Sequence, residues 1–394
     1  MSSGTQRAVS DPTDYGLSPE QAMIRQTIRE FARAEIAPVL SEHLERERFP
    51  TALVRRIAEL GVMGLPYPEE HGGSGAGLLA FALAIEELAY VSPSIAAIVF
   101  AHSSPATLIH LNGTAEQKRR WLVPLARGEM LGAIGLTEPV GGSDVVNLKT
   151  RATRTGQGWM LNGSKTFITN TGTELTGVVV AAAATSDLDP RRRLSSFIVP
   201  AGTPGLVTAP PLRKIGWRIA NTCDIFFENC ALPGDALLGG EGDGARQMLT
   251  AVTYGRVCVG AIALGLARAC FDASKAYAKE RRAFGQPIGA FQGIAFPLTD
   301  LAVRIEAARL LTYRAAALAD SGQPFRAEAS MAKLFGSDLA VDAARLAIQV
   351  HGAAGISRDH AVSWLLDEAK VLEVVEGTSE IQRMLLARLL GITT

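Results

Sequence analysis

The sequence predicts an α+β protein built from an N-terminal helical domain, a central antiparallel β-barrel or β-sandwich domain and a C-terminal four-helix bundle. Three observations support this order. Apolar residues recur at helical spacing up to about residue 131, short β-rich runs separated by Gly, Asn and Pro fill the middle, and long Ala-rich helical patterns follow residue 244. We therefore place the domains at residues 1–131, 132–243 and 244–394.

Start and stop signals delimit the helices of the N-terminal part. The segments 18–21 (SPEQ) and 114–117 (TAEQ) each combine an N-cap hydroxyl with a Gln three residues later, which is a capping box. A further helix is predicted after Pro50, and Gly61 is its stop signal. Residues 78–89 and 95–109 are rich in apolar residues, so they predict two strongly buried helices.

Short runs rich in β-branched and aromatic residues predict the strands of the central part. These runs are residues 131–137, 159–161, 165–169, 178–180, 197–199 and 222–227. Asn162-Gly163 lies between the second and third runs, and this dipeptide is typical of a two-residue hairpin turn. The spacing favours antiparallel strands over βαβ units.

Four long segments predict the helices of the C-terminal bundle. They cover residues 245–279, 296–318, 327–349 and 379–390. Each carries an apolar stripe wide enough to face a bundle core, so we expect the four to pack on one another.

Composition and charge exclude several classes of protein. The 394 residues include 39 Lys plus Arg and 39 Asp plus Glu, and a net charge of zero argues against a general binder of nucleic acid or anionic membranes. The four cysteines (223, 230, 258 and 270) lack zinc-ligand spacing, so we expect reduced thiols. No uninterrupted apolar run approaches about 18 residues, and no membrane insertion is expected.

The first fifteen residues show none of the common targeting patterns. They lack an apolar stretch, and Asp11 and Asp14 stand where a transit peptide would avoid acidic residues. Together with the cysteine usage this favours a cytoplasmic protein. The mitochondrial matrix is the alternative if a transit peptide has been removed.

Motifs for several other chemistries are missing or stand in the wrong context. Residues 75–80 (GAGLLA) match a loose dinucleotide fingerprint, but Pro66 and Pro68 occupy the place where that fingerprint needs a strand. We interpret these glycines as a helix entry. The six histidines form no metal-binding pair, so no metal is predicted, and the absence of a G-x-S-x-G elbow argues against a hydrolase.

Three separated segments have residue patterns that are compatible with a functional site. Residues 135–144 (GLTEPVGGSD) suit either a capped turn or a polar cradle for an electron-rich ring. Residues 280–292 (ERRAFGQPIGAFQ) separate two long predicted helices. Residues 374–382 (VVEGTSEIQ) place Glu376 after Val374 and Val375 and before a helix N-terminus, and apolar surroundings raise the pKa of a carboxyl group toward the range of a general base. Each segment alone is compatible with a structural role.

Together, the order and spacing of these segments resemble the acyl-CoA dehydrogenase family of flavoproteins. The resemblance extends from Pro19 to Leu390. It is most specific at residues 137–139 (TEP), at 280–285 (ERRAFG) and at 376–380 (EGTSE).

The resemblance implies that FAD lies in a cleft between the β domain and the C-terminal helices. One group of residues would line the flavin, a second would reach the FAD of a neighbouring subunit, and a third would lie near the same cofactor. These groups are Leu136, Thr137, Gly142, Ser143, Phe167, Ile168 and Thr169; then Arg281, Phe284 and Gln292 with Gln349, Val350, Gly352 and Ala353; and finally Thr378 and Glu380. The contacts between subunits imply a homo-oligomer, and the family is commonly tetrameric.

The resemblance further implies that Glu376 is the catalytic base. It would take the α-proton of an acyl thioester while a β-hydride passes to the flavin. Some family members carry the base at the position of Gly255, where glycine cannot serve, so Glu376 is the candidate here. Contacts to the substrate are expected from Ser143, Thr253, Tyr254, Arg256 and Gly377.

The expected activity is therefore FAD-dependent dehydrogenation of an acyl-CoA to the trans-2-enoyl thioester in fatty acid metabolism, with electrons passed to an electron-transferring flavoprotein. A flavin monooxygenase or oxidase on the same fold, and a dehydrogenase of acyl carrier protein thioesters, are the alternatives. A flavin-free assembly partner is a third possibility. Acyl length and branching stay open.

Overall fold

The computed structural model describes residues 15–145, 147–156, 158–187, 189 and 192–393. Its N-terminal part is helical, and two capping boxes begin helices as predicted: the side chains of Ser18 and Thr114 accept from the main chain of Gln21 and Gln117, each at 3.2 Å. The helices are α1 (Pro19–Phe31), α2 (Leu40–Arg46), α3 (Thr51–Glu59), α4 (Gly77–Val91), α5 (Pro93–Asn112), α6 (Ala115–Gln117) and α7 (Val123–Ala126).

Gly77 is a helix entry, as the sequence predicts, because α4 begins there directly after a loop. The carboxylate of Asp320, from the C-terminal part, accepts from the main-chain N–H of Leu78 at 2.5 Å and of Leu79 at 2.9 Å. A side chain of the protein therefore caps this N-terminus, where a nucleotide-binding fold would hold a phosphate.

The central part is one mixed sheet. Within the described residues its eight strands run in the order β6-β7-β3-β2-β4-β5-β8, with β1 paired to β4. All pairs are antiparallel except those that β1 and β2 make with β4. The strands are β1 (Leu131–Gly135), β2 (Arg151–Thr155), β3 (Gly158–Thr169), β4 (Thr176–Ala184), β5 (Leu194–Pro200), β6 (Leu206–Thr208), β7 (Thr222–Pro233) and β8 (Leu237–Leu238).

The predicted hairpin at Asn162-Gly163 is wrong. Both residues lie inside β3, which runs without interruption and pairs with β7 along its length. Gly163 has φ +143° at a register shift of that pairing, and a Cβ there would lie 2.6 Å from the Cα of Thr150. Gly163 is therefore required because of the bulge and the close approach of the Thr150 backbone. The sequence does not distinguish an Asn-Gly dipeptide at a bulge from one in a turn.

The C-terminal part is a helical bundle. The helices are α8 (Gly244–Glu280), α9 (Gln292–Asp320), α10 (Arg326–His351), α11 (Val362–Leu372) and α12 (Ser379–Leu389). A two-stranded hairpin, β9 (Arg282–Ala283) and β10 (Gln286–Pro287), separates α8 from α9. The α+β order of helices, sheet and helices is confirmed, whereas α11 was not predicted.

Two helices, α5 and α8, are long and apolar enough to cross a membrane by length and composition alone. The criterion of an uninterrupted apolar run did not single out either helix, although the sequence predicts the first as a buried helix and the second as a bundle helix. Their apolar windows are 83% and 78% buried inside the protein, as is common for core helices, so they are weak evidence for a membrane span. All four cysteines are free and buried, as expected.

A buried ionic cluster joins the N-terminal helices to the bundle. Glu87 of α4 accepts from Arg25 at 2.9 Å and Arg29 at 3.0 Å, both on α1, and from Arg268 of α8 at 2.9 Å. Burial alone would raise its pKa, but these guanidinium groups lower the pKa of Glu87 to about 2. This cluster fixes the helical framework on which the site described next depends.

Candidate active site

Glu376 lies in the short connection between α11 and α12, in a backbone conformation that side chains rarely adopt. Its φ is +55°, and Gly377 follows with φ +90°. A non-glycine residue in the left-handed region persists where surrounding contacts hold it. The position is therefore a candidate for function as well as a structural constraint.

Two buried side chains hold this connection through its carbonyl groups. Gln382 of α12 donates from Nε2 to the carbonyl oxygens of Glu376 and Gly377, each at 3.0 Å. Arg256 of α8 donates from Nε to the same Glu376 carbonyl at 3.2 Å. Because both donors are buried, the orientation of the Glu376 side chain is set by packed helices and not by the loop alone.

The Glu376 carboxylate points at α8. A Cβ placed on Gly255 would lie 2.8 Å from Oε2 of Glu376 and 3.0 Å from the ring of Phe100 on α5. A side chain at residue 255 would thus occupy the space that the carboxylate now fills. Oε2 is shielded from solvent and has no hydrogen-bond partner within the described residues.

Burial raises the pKa of Glu376 to about 7, and the positive charges of Arg256 and Lys333 moderate the rise. The direction agrees with the sequence prediction, but the predicted cause is wrong in part. Val374 is 56% exposed, whereas the carboxylate and the ring of Phe100 both border the space that a Cβ on Gly255 would fill. These contacts come from helices more than a hundred residues away in sequence.

A second buried carboxylate, Glu138, organises the loop after β1. It accepts from Nζ of Lys165 at 2.7 Å and from the main-chain N–H groups of Lys149 at 2.5 Å and Thr150 at 3.0 Å. Burial alone would raise the pKa of Glu138, but the hydrogen bond and charge of Lys165 hold it below its usual value. Lys165 also donates to the Leu136 carbonyl at 3.3 Å, which fixes the start of the loop.

The predicted flavin-lining segments lie side by side. The N–H of Thr166 donates to the carbonyl of Thr137 at 2.9 Å, which joins the loop after β1 to the end of β3. Next along the chain, Phe167 has φ +59° at a bulge of the β3–β7 pairing and is 64% exposed. An exposed aromatic ring on a rigid strand offers a flat apolar surface to a planar ligand.

The other members of this group differ in accessibility. Gly142 and Ser143 are exposed, whereas Leu136 and Ile168 are buried. Thr169 shares a hydrogen bond with the hydroxyl of Thr222 at 3.2 Å. Their roles as cofactor contacts stay predictions.

The residues expected to reach a neighbouring subunit lie at the surface, with one exception. Phe284, in the hairpin between α8 and α9, is 95% exposed, and Arg281 and Gln292 beside it are exposed as well. Gln349, Gly352 and Ala353 are exposed at the end of α10, whereas Val350 is buried. Thr378 caps α12 by accepting from Ile381, and Glu380 follows in the exposed first turn.

The predicted substrate residues on α8 lie next to the Glu376 connection. Thr253 donates its hydroxyl to the Leu249 carbonyl at 2.8 Å, and Tyr254 packs edge-to-face on Phe325 at 5.0 Å between ring centroids. Arg256 is occupied by the main chain of Glu376. A contact from these side chains, or from Ser143, to a substrate stays a prediction.

Sequence reasoning missed two buried residues around Glu376. Gln382 holds the connection, and Lys333 lies fully buried on α10 with its charge close enough to lower the pKa of Glu376. A signal for Lys333 exists, because it falls on the Ala-rich buried face of α10 with Ala329, Ala332 and Gly336. A lysine on such a face is rare without a partner or a role.

Family models match nearly the whole chain. The N-terminal, middle and C-terminal domain models of acyl-CoA dehydrogenase cover residues 18–129, 133–230 and 242–391.

Curated relatives agree with these matches. A probable acyl-CoA dehydrogenase of Bacillus subtilis, YngJ, is 43% identical over 95% of this chain and 99% of its own length. The short-chain specific acyl-CoA dehydrogenase of Clostridium acetobutylicum is 39% identical over 95% of this chain and 98% of its own.

Solved structures share the whole architecture. The butyryl-CoA dehydrogenase of Megasphaera elsdenii superposes with a TM-score of 0.93 at 34% identity, over 95% of this chain and 98% of its own. A chain from a study of the electron-transferring flavoprotein of Acidaminococcus fermentans and flavin-based electron bifurcation matches with the same TM-score at 37% identity, over 95% and 98%.

Proposed function

The chain belongs to the acyl-CoA dehydrogenase family of FAD-dependent oxidoreductases, and on that premise we propose that it dehydrogenates a short acyl-CoA with Glu376 as the base. One observation carries the assignment of the base: a shielded carboxylate oxygen with no hydrogen-bond partner in the described chain, on a residue whose pKa burial raises to about 7. A general base is most effective when its pKa lies near the working pH.

The residues around the cleft fit FAD. The exposed ring of Phe167, next to the main chain of Leu136 and Thr137, offers a stacking surface for the flavin, and exposed Arg281 suits its pyrophosphate in a neighbouring subunit. A Cβ on Gly142 would be in ordinary van der Waals contact with Cγ2 of Thr137, at 3.4 Å. When bound, FAD supplies the acceptor for the β-hydride.

The contribution of the protein is to hold a proton acceptor and to stabilise developing charge. Glu376 is about half ionised near neutral pH, and Oε2 is free to accept the α-proton of the thioester because no described donor competes for it. The N–H of Glu376 donates to no acceptor among the described residues. It is therefore available to a thioester carbonyl that gains negative charge as the proton leaves.

A short acyl chain is supported by the relatives and by the packing at the base. The Clostridium relative is named as short-chain specific, and the Megasphaera enzyme is a butyryl-CoA dehydrogenase. In this chain the buried ring of Phe100 on α5 borders the space at Gly255 that the Glu376 carboxylate fills, and we expect it to limit the room for a long acyl tail.

A homotetramer that transfers electrons to an electron-transferring flavoprotein completes the proposal. Phe296, Val303 and Leu310 of α9 are seven residues apart, and each is more than half exposed, which is typical of a helix that packs against another subunit. The match to the Acidaminococcus chain supports an electron-transferring flavoprotein as the acceptor. We further propose that the protein acts in cytoplasmic fatty acid metabolism; its four free, buried cysteines are compatible with that compartment.

The test is anaerobic bleaching of the yellow holoprotein with acyl-CoA thioesters from butyryl to palmitoyl, and with the matching acyl carrier protein thioesters. We expect the fastest bleaching with butyryl-CoA and reoxidation by an electron-transferring flavoprotein. Fast reoxidation of the substrate-reduced protein by air would indicate an oxidase. Bleaching only by carrier-protein thioesters would replace the proposed substrate.

A further inference from the structure

Two lysines are fully buried within the described residues, Lys165 and Lys333. Lys165 forms an ion pair with Glu138, whereas Lys333 has no carboxylate at ion-pair distance. Removing an ammonium group from water is costly unless it is paired or hydrogen-bonded. Nζ of Lys333 makes one hydrogen bond to a described residue, to the main-chain carbonyl of Glu373 at 3.2 Å. A buried charge with so little local compensation calls for an explanation in its surroundings.

Those surroundings are the connection that carries Glu376. Glu373 is the C-cap of α11 and stands three residues before the base. One turn before Lys333 on α10, the hydroxyl of Ser330 accepts from Nη1 of Arg256 at 3.4 Å, while Nε of Arg256 holds the Glu376 carbonyl. Two cations from two helices therefore hold the carbonyls at both ends of residues 373–376.

The net field on the Glu376 carboxylate follows from all charges that pack against it. Burial raises the pKa of the Cys258 thiol, which stays neutral, and burial lowers the pKa of Lys333 to about 8, so its amine is mostly protonated at neutral pH. The titratable and charged groups around the carboxylate and Lys333 come from three helices and the end of α11. They are Arg256 and Cys258 on α8, Lys333 and Asp338 on α10, Glu373 at the end of α11 and Glu380 on α12, with Arg326 acting on Arg256.

We propose that Lys333 is a positioning residue for Glu376: its buried ammonium fixes the chain ahead of the base and favours the ionised carboxylate over the neutral acid. The inference rests on the proposed role of Glu376 in proton abstraction. The alternative is a purely structural role, in which Lys333 only caps the C-terminus of α11. Its removal would then lower the stability of the protein and leave the ionisation of Glu376 unchanged.

Infrared difference spectroscopy can separate these readings in the substrate-free holoprotein. The carboxyl band of Glu376, identified by its loss in Glu376→Gln, is titrated in wild type and in Lys333→Met, Lys333→Gln and Lys333→Arg. We expect the midpoint near pH 7 to rise by about one unit in the Met and Gln variants and to stay near wild type in the Arg variant. Gln keeps a donor for the Glu373 carbonyl and removes the charge, so it decides the outcome if the Met variant does not fold.

Lys370→Met is the matched control. Lys370 also bonds Glu373, through its side chain at 2.5 Å, but more than half of the Lys370 side chain is exposed. Water screens such a charge, so its removal should leave the Glu376 midpoint unchanged. A Lys333→Gln protein that folds and titrates like wild type would overturn the proposal, and so would an equal shift in Lys370→Met.

The rate of substrate reduction gives an independent readout. A rise of one unit from about 7 lowers the ionised fraction at pH 7 by about fivefold, so the Gln variant should bleach about fivefold more slowly there. Above the pKa of Lys333, the wild-type amine is neutral as well, and the two rates should converge. If the infrared midpoint shifts while the rate does not follow it, Lys333 acts on Glu376 but Glu376 is not the base.

Discussion

Two glutamates of this protein lie beside a fully buried lysine, and their carboxylates behave in opposite ways. Glu138, in the loop after β1, accepts from Lys165 and from two main-chain N–H groups, and its pKa is held below the usual range. Glu376, with Lys333 nearby, has a carboxylate oxygen without a described partner, and its pKa rises to about 7.

The ionisation of the two lysines does not explain the difference, because burial lowers the pKa of each to about 8. What differs is the number of donors that reach the carboxylate. Three donors at hydrogen-bond distance offset the cost of burying the Glu138 charge, whereas the contacts near Glu376 go to main-chain carbonyls instead. One carboxylate is thereby a structural anchor, and the other is left available to a proton from outside the chain.

The largest expected effect is that of Glu376→Gln on the rate of flavin reduction by substrate. The amide keeps the shape of the side chain but cannot take a proton, so flavin reduction by substrate should slow by ~10²–10⁴-fold. Stopped-flow bleaching measures the rate, while the spectral change on adding substrate checks that FAD and thioester still bind. A variant that reduces at the wild-type rate would show that the unpartnered oxygen is not the proton acceptor.

Breaking the other pair should damage stability instead of chemistry. Lys165→Met leaves Glu138 buried without its cation, and loss of one partner of a buried pair costs about 3–5 kcal/mol. We expect a lower free energy of unfolding in urea and less bound FAD, because Lys165 also holds the Leu136 carbonyl.

The control is the double variant Lys165→Met/Glu138→Gln, which removes both charges. It should recover part of the lost stability, because no unpaired charge stays buried. If Lys165→Met were as stable as wild type, the anchoring role of the pair would be refuted.

The smallest expected effect is a difference in the pH dependence of stability. Burial raises the pKa of Glu376 from 4.5 to about 7, so its contribution to stability is present below pH ~4.5 and is lost as the pH rises through about 7. Glu138 has a lowered pKa, so its contribution is present above its usual pKa and is lost as the pH falls.

Relative to wild type, Glu376→Gln should therefore gain about 1–3 kcal/mol between pH 5 and pH 8, because the variant has no charge to bury. The free energy of unfolding of both proteins at the two pH values measures this gain. A constant difference across the range would contradict the raised pKa of Glu376.

Local signals in the sequence predicted local structure well. The capping boxes at Ser18 and Thr114 begin helices because the donors they satisfy lie within one turn of the cap. The prediction of a hairpin at Asn162-Gly163 was wrong because a turn and a bulge both require a glycine with positive φ. Only the pairing of β3 with β7 along its whole length distinguishes the two.

The candidate base was likewise predictable, but its environment was not. The segment 374–382 indicates a carboxylate before a helix N-terminus, and this much depends on neighbours in the chain. The adjacent valines were assigned the shielding, although Val374 faces solvent. The groups that shield and charge Glu376 come instead from α5, α8 and α10, which no local pattern connects to it.

By itself, the sequence determined the α+β order of helices and sheet, the family and the identity of the candidate base, because periodicity, caps and motifs are properties of short segments. The tertiary structure alone decided which carboxylate is satisfied and which is not. Hydrogen-bond partners and burial depend on residues brought together over long separations, as Lys333 and Gly255 are at Glu376. For that reason the ionisation of Glu138 and Glu376 differs although each lies near a buried lysine.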